Sequence, residues 1–287
     1  MQMLKKYTLY CFALLGIMVL FSACEKEYES IESVDDAKIQ AYIKQNNLNM
    51  TKDATGFYYQ VLEPGTGNVV LNKDSIFFNL SVQSLTGTTY FATSQYTNEA
   101  TYLGYITPSS YRLALQGIKR GGKVRVILPS YLAYGKNGSG SIPSNEIIST
   151  TITVLPANSQ REIDDKLIRD FLTTKGITNA IKSPSGVYYQ VLTPGTGTSV
   201  DLVSTIAVKY AGRLLNGFVF DQSVGDATLQ SPLQSLIRGW RVLIGMQKGA
   251  KVRLFIPSDL AYGSEAQPTI PANSVLDFDI EITDVTN

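Results

Sequence analysis

GAKVRLFIPSDLAYG, Gly249 to Gly263, occurs in a second version, GGKVRVILPSYLAYG, from Gly121 to Gly135. Ten of the fifteen positions are identical, and the stretches lie 128 residues apart. The repetition extends both ways. GFYYQVLEPGTG (Gly56–Gly67) answers GVYYQVLTPGTG (Gly186–Gly197) at ten of twelve positions, offset 130. VDDAKIQAYIKQNNL (Val34–Leu48) answers IDDKLIRDFLTTKGI (Ile163–Ile177), offset 129. SIPSN around Ile142 answers TIPAN around Ile270. Offsets that drift so little over this length mean a duplicated domain with small loop changes.

Each unit opens with a predicted helix. Ile163, Leu167, Phe171 and Leu172 share one helical face, as do Ile39, Tyr42 and Ile43 in the first copy. PGTG (Pro64–Gly67 and Pro194–Gly197) then marks a turn. Strand-like alternation follows in STIAVKYAGRLL from Ser204, KVRLFIPS from Lys251 and SVLDFDIEITDV from Ser274. SLIRGWRVLIGM (Ser235–Met246) reads as one short helix between strands. The expected fold class is α+β: two tandem units, 34–157 and 160–287, each a curved antiparallel sheet wrapped on a short α-helix and preceded by an N-terminal helix. The boundary falls in LPANSQ, Leu155–Gln160.

The chain has 287 residues, a formal net charge of +1 and no histidine. The near-neutral charge, with scattered Lys and Arg, gives no electrostatic case for nucleic acid. Without histidine, Ser-His-Asp and Cys-His nucleophiles are excluded. With two cysteines, most zinc sites are excluded as well. Chemistry must rest on carboxylates, hydroxyls, backbone groups or shape, and no cofactor or metal is expected.

Residues 1–24 read as a leader. Lys5 and Lys6 precede an apolar run of 13 residues, Leu9–Phe21, short for a membrane span and suited to a signal-peptide core. The run ends in FSAC, Phe21–Cys24, which resembles the lipobox of bacterial lipoproteins, with Phe21 where leucine is usual. Cys24 is then the lipidation site and the only cysteine of the mature chain, with no partner for an internal disulfide. A buried N-terminal helix and an uncleaved anchor are the alternatives. EKEYES continues as a polar tether over 25–33 and resembles an acidic signal for surface display. The implied location is the cell envelope, lipid-anchored, at the outer membrane on its periplasmic or surface face.

The second copy carries four motifs in order: VKYAGRLLNGFVFDQS (Val208–Ser223), LIRGW (Leu236–Trp240), GAKVRLFIPSDLAYG, and IPANSVLDFDIEI (Ile270–Ile282). Together they resemble the FK506-binding-protein (FKBP) family of peptidyl-prolyl cis-trans isomerases, over Gly186 to Val285. The resemblance implies an apolar pocket for a substrate proline, built from Tyr210, Phe220, Asp221, Leu236, Ile237, Trp240, Tyr262, Ile270 and Phe278. It implies Trp240 as the floor, Tyr262 Oη on a substrate carbonyl, and Asp221 at the edge holding neighbouring groups in place. Leu236 stands where the family has valine, and TLQSPLQS (Thr228–Ser235) lacks the family's aromatic wall. Taken singly, each apolar residue would suit any core, and an Asp after Phe any turn. The set carries the reading.

The first copy departs at the pocket. Leu80 aligns with Tyr210, Tyr90-Phe91 with Phe220-Asp221, Pro108 and Ser109 with Leu236 and Ile237, Arg112 with Trp240, and Thr150 with Phe278. Tyr134 and Ile142 are kept. A charge in the floor position opposes an apolar ligand, so this unit is expected to be FKBP-like in fold and inactive. Thr89–Tyr111, rich in Tyr and Thr, reads as a sheet edge or an exposed binding loop. The expected partners are proline-containing polypeptide clients, with the membrane reached through the N-terminal lipid. The rival readings are a non-enzymatic peptide-binding chaperone and an envelope scaffold. The oligomeric state is not legible.

Overall fold

The computed structural model describes residues 29–287, so the leader, Cys24 and most of the tether lie outside the described residues. The first unit runs α1 (Ile31–Gln45), β1 (Thr51–Lys52), β2 (Tyr58–Glu63), β3 (Ser75–Ser84), β4 (Thr89–Ala92), β5 (Glu99–Tyr102), α2 (Ser109–Ala114), β6 (Lys123–Leu128) and β7 (Ile148–Val154). The second runs α3 (Gln160–Thr174), β8 (Ile181–Lys182), β9 (Tyr188–Thr193), β10 (Thr205–Leu214), β11 (Val219–Gln222), β12 (Leu229–Pro232), β13 (Lys251–Ile256) and β14 (Leu276–Thr286). Each unit is a mixed α/β body with its own seven-stranded sheet, of order β1-β2-β6-β7-β3-β4 and β11-β10-β14-β13-β9-β8. All named pairings are antiparallel. The ten-residue β3 and β10 are long enough to pair with two short strands each, β5 then β4 and β12 then β11.

The helix starts are set by serine caps. Ser30 Oγ accepts from the Ser33 amide, and Ser159 Oγ from the Glu162 amide. Because Ser30 is the cap, α1 includes Ile31–Ser33, which the sequence reading placed in the tether. The repeated Asp-Asp of the two helices has a structural cause. The buried Asp35 carboxylate accepts from the Ser130 amide and hydroxyl at 2.8 and 2.7 Å, and Asp164 does the same with Ser258 at 2.7 and 2.6 Å. Asp36 and Asp165 each bind a lysine and a tyrosine of the first strand pair, Lys52 with Tyr58 and Lys182 with Tyr188. Each helix is thereby fastened to the PSYL or PSDL corner of its own unit.

Ser235–Met246 is not one α-helix. It holds the end of a 3-10 turn, Leu233–Ser235, and a 3-10 helix, Arg238–Leu243. The i,i+3 apolar spacing suits both helix types, and the turn packs tightly on the sheet at Gly239. A Cβ there would lie 2.2 Å from Ile256 Cγ2, so glycine lets the backbone descend onto β13.

The units touch. Tyr96, in the β4–β5 connection, packs on a cluster formed by α3 (Ile168, Phe171, Leu172) with Tyr188, Phe255 and Val275. Thr89–Tyr111 therefore supplies sheet edges at β4 and β5 and, between them, a segment lodged against the neighbouring unit.

Candidate functional site

The second unit concentrates its aromatic side chains at one place. Strand β10 carries Tyr210, and β11, paired to it with Gly212 opposite Asp221, carries Phe220 and Asp221. Strand β14 brings Phe278 opposite Gly212 from the other side. The 3-10 helix sets Trp240 against them. Trp240 and Phe278 meet edge-to-face at 5.3 Å, Phe220 and Phe278 at 5.6 Å, and Tyr210 and Trp240 at 5.9 Å. Such pairs add about 0.5–1.5 kcal/mol each beyond area burial, so the cluster is rigid as well as apolar. Trp240, Phe278 and Ile270 are buried; Tyr210, Phe220, Leu236 and Ile237 are half-buried. Tyr262, on the loop that follows β13, is exposed. Seven of the nine residues singled out in the sequence share one apolar cluster, Tyr210, Phe220, Leu236, Ile237, Trp240, Ile270 and Phe278, and Asp221 joins it through Tyr210.

Polar groups are few and oriented. Tyr210 Oη donates to the Asp221 carboxylate. Burial first, then that bond, pushes the Tyr210 hydroxyl up to about 12, so it keeps its proton throughout the neutral range. Trp240 Nε1 is buried without a hydrogen-bond partner, and the Ile237 amide donates to no carbonyl among the described residues. Both leave donor capacity beside an apolar floor, where an unmet donor is costly. No cluster of three metal-ligating side chains occurs among the described residues.

Sequence reasoning passed over Gly212. A Cβ there would lie 2.6 Å from both Phe220 Cζ and Phe278 Cε1, so the two rings meet only because position 212 has no side chain. The available signal was a glycine inside an otherwise alternating strand.

In the first unit the same register places Val82 opposite Thr150, where the second has Gly212 opposite Phe278. The floor is not Arg112. Arg112 Nη1 reaches the Gly104 carbonyl, whereas Tyr111 is buried and bonded to Thr150 through its hydroxyl at 2.7 Å. The cause is spacing. Eighteen positions separate Leu103 from Gly121, but sixteen separate Leu233 from Gly249. The two extra residues accommodate an α-turn, Ser109–Ala114, in place of the 3-10 helix, and Tyr111 faces inward. A neutral cleft of about 330 Å³ remains, lined by Leu80, Val82, Tyr90, Phe91, Thr107, Pro108, Tyr111, Tyr134 and Ile142 among others. The pocket is therefore rebuilt, and no guanidinium occupies it.

The family-model match falls on the second unit. Residues 197–283 match the family model described as FKBP-type peptidyl-prolyl cis-trans isomerase. FK506-binding protein 4 of Dictyostelium discoideum is 41% identical over 111 residues, which is 38% of this chain and 30% of that protein. The FKBP-type peptidyl-prolyl cis-trans isomerase FkpA of Escherichia coli strain K12 is 39% identical over 117 residues, 40% of this chain and 42% of that protein. The crystal structure of FkpA from Escherichia coli aligns at 36% identity and a TM-score of 0.40, covering 44% of this chain and 59% of that one. The chain thus spans less than half the length of these two curated relatives.

Proposed function

We propose that the second unit is a peptidyl-prolyl cis-trans isomerase acting on exported or envelope polypeptides. The observation that carries this reading is the edge-to-face aromatic floor of Trp240, Phe278, Tyr210 and Phe220, with its two unmet N–H donors. An X-Pro amide rotates over a barrier of about 18–20 kcal/mol because twisting removes its resonance. In the twisted state the nitrogen is pyramidal and the amide less polar, and a dry aromatic pocket favours that state over the planar one. The proline ring lies on Trp240, the Ile237 amide holds a peptide carbonyl, and Tyr262 holds another at the rim. Tyr210, fixed by Asp221, keeps a neutral hydroxyl beside the rotating bond. An acceleration of about a thousandfold requires about 4 kcal/mol, within reach of orientation and desolvation alone.

The test is a proline-peptide isomerisation assay on the full chain. Trp240→Leu is expected to lower kcat/KM by at least about tenfold, from loss of the flat floor and its edge contacts. A wild-type chain no faster than the uncatalysed reaction, or a variant equal to wild type, sinks the reading. The first unit is proposed to lack this activity, since Thr150 and Val82 replace the ring and the glycine the floor needs.

We further propose anchoring through a lipidated Cys24, supported by the basic start, the apolar run and FSAC. Cys24→Ser is expected to abolish incorporation of labelled palmitate and to release the chain from the membrane fraction. A wild-type chain that takes up no palmitate yet stays membrane-bound argues for an uncleaved anchor instead.

A further inference from the structure

The loop that carries Tyr262 at one end and Ile270 within it is closed by Asn273. The Asn273 amide donates to the Gly263 carbonyl at 2.8 Å, with the asparagine itself in the left-handed region at φ 57°. Inside the loop Gln267 and Ile270 exchange backbone hydrogen bonds. The first unit repeats the device, with Asn145 at φ 53° bonded to Gly135 at 2.8 Å. The two asparagines differ in surroundings. Asn145 is exposed, whereas Asn273 is 6% exposed and its Nδ2 donates to the Asn98 carbonyl of the first unit at 3.0 Å.

Asn98 is itself held. It is 3% exposed, and its side-chain amide exchanges two hydrogen bonds with Gln160 at the start of α3, at 2.9 and 3.0 Å. Two residues earlier, Tyr96 packs on the α3 cluster of the second unit. In the second unit the corresponding positions of the β11–β12 connection are Asp226 and Thr228, both exposed. The anchoring pair is therefore present in the unit that has a neighbour to receive it, and absent from the other.

We infer that the Thr93–Asn98 segment of the first unit is a positioning element for the pocket wall of the second, fixing the loop that presents Tyr262 and Ile270. The inference rests on the isomerase reading. A loop held in one conformation before substrate arrives spares the ordering cost on binding, and small misplacements of positioning groups are costly to rate. The first unit then contributes to catalysis without touching substrate.

The test uses the full chain with Tyr96→Ala and Asn98→Ala together, which leaves every residue of the second unit unchanged. Two readouts are paired. Amide hydrogen exchange at Gln267, Ile270 and Asn273 is expected to quicken by about tenfold or more, and kcat/KM to fall by about threefold to tenfold. The denaturation midpoint read by Trp240 is expected to fall as well, because both side chains pack on α3, so exchange and kcat/KM are read well inside the folded baseline. Asn273→Asp, which still tolerates the left-handed backbone and lacks the Nδ2 donor, is expected to repeat both effects. Unchanged exchange at the three amides overturns the inference, and so does faster exchange with unchanged kcat/KM. A wild-type chain without activity defeats the isomerase reading instead, and exchange alone then decides whether the segment holds the loop.

Discussion

Gly212→Val is expected to cut kcat/KM for proline peptides by on the order of a hundredfold or more, about 2.7 kcal/mol of transition-state stabilisation, while the chain still folds. The steric argument is local. The first added carbon would sit 2.6 Å from ring atoms of Phe220 and Phe278, and valine adds two methyls beyond it. The rings cannot keep their edge-to-face contact of 5.6 Å, and the wall under the proline site opens. The fold itself accepts a side chain here, because the first unit carries Val82 at the same register position, opposite Thr150. Gly212→Val combined with Phe278→Thr is therefore expected to recover stability without activity. Parallel measurement of peptide isomerisation and of the denaturation midpoint separates the two effects. Activity within threefold of wild type in Gly212→Val would mean that the aromatic floor is not where the amide turns.

The contrast between Gly212 and Trp240 shows what a sequence discloses. Trp240, Phe278 and Tyr210 were legible only through the set of motifs that resembles the FKBP family, because each aromatic taken singly suits any core. The duplicated unit, the two leading helices and the alternating strands were legible because period is local, whereas the Ser30 and Ser159 caps that set the helix starts were not read. Gly212 acts by having no side chain, and its meaning appears only when β11 and β14 bring two rings to it from opposite sides. Arg112 misled through its position in the count. Two extra residues upstream of Gly121 rotate the turn, and Tyr111 enters the cleft instead. The 3-10 helix at Arg238–Leu243 was read as α because its apolar spacing suits both forms, and the close approach of Gly239 to Ile256 is a tertiary fact. Tyr96 and Asn98 sit in a stretch of Ser, Thr and Tyr that reads as surface. Their burial depends on a partner 62 residues away at Gln160 and 175 away at Asn273.

Asp164→Ala is expected to destabilise the second unit by about 2–4 kcal/mol, followed through Trp240 fluorescence in a denaturant titration. Asp164 is fully buried, and its carboxylate accepts from the Ser258 amide and hydroxyl and from Gln160 Nε2 at 2.8 Å. Alanine leaves those buried donors without an acceptor, each costing about 1–3 kcal/mol of desolvation. It also frees α3 from the corner that leads into Tyr262. The gain in the native chain is only partial, since burial raises the Asp164 carboxyl above its ordinary value. That sets the sign of the pH dependence. A raised folded pKa means the folded state holds the proton more tightly, so the contribution is complete below about pH 3.8 and declines as pH rises through the folded value. Asp164→Asn keeps one acceptor for Ser258 and does not titrate. The stability of wild type relative to Asp164→Asn is therefore expected to be greatest at low pH and to shrink toward neutrality. A difference that grows with pH would mean that the carboxylate is stabilised in place by its three donors more than burial penalises it, and that the fastening of α3 is electrostatic rather than a matter of satisfied hydrogen bonds.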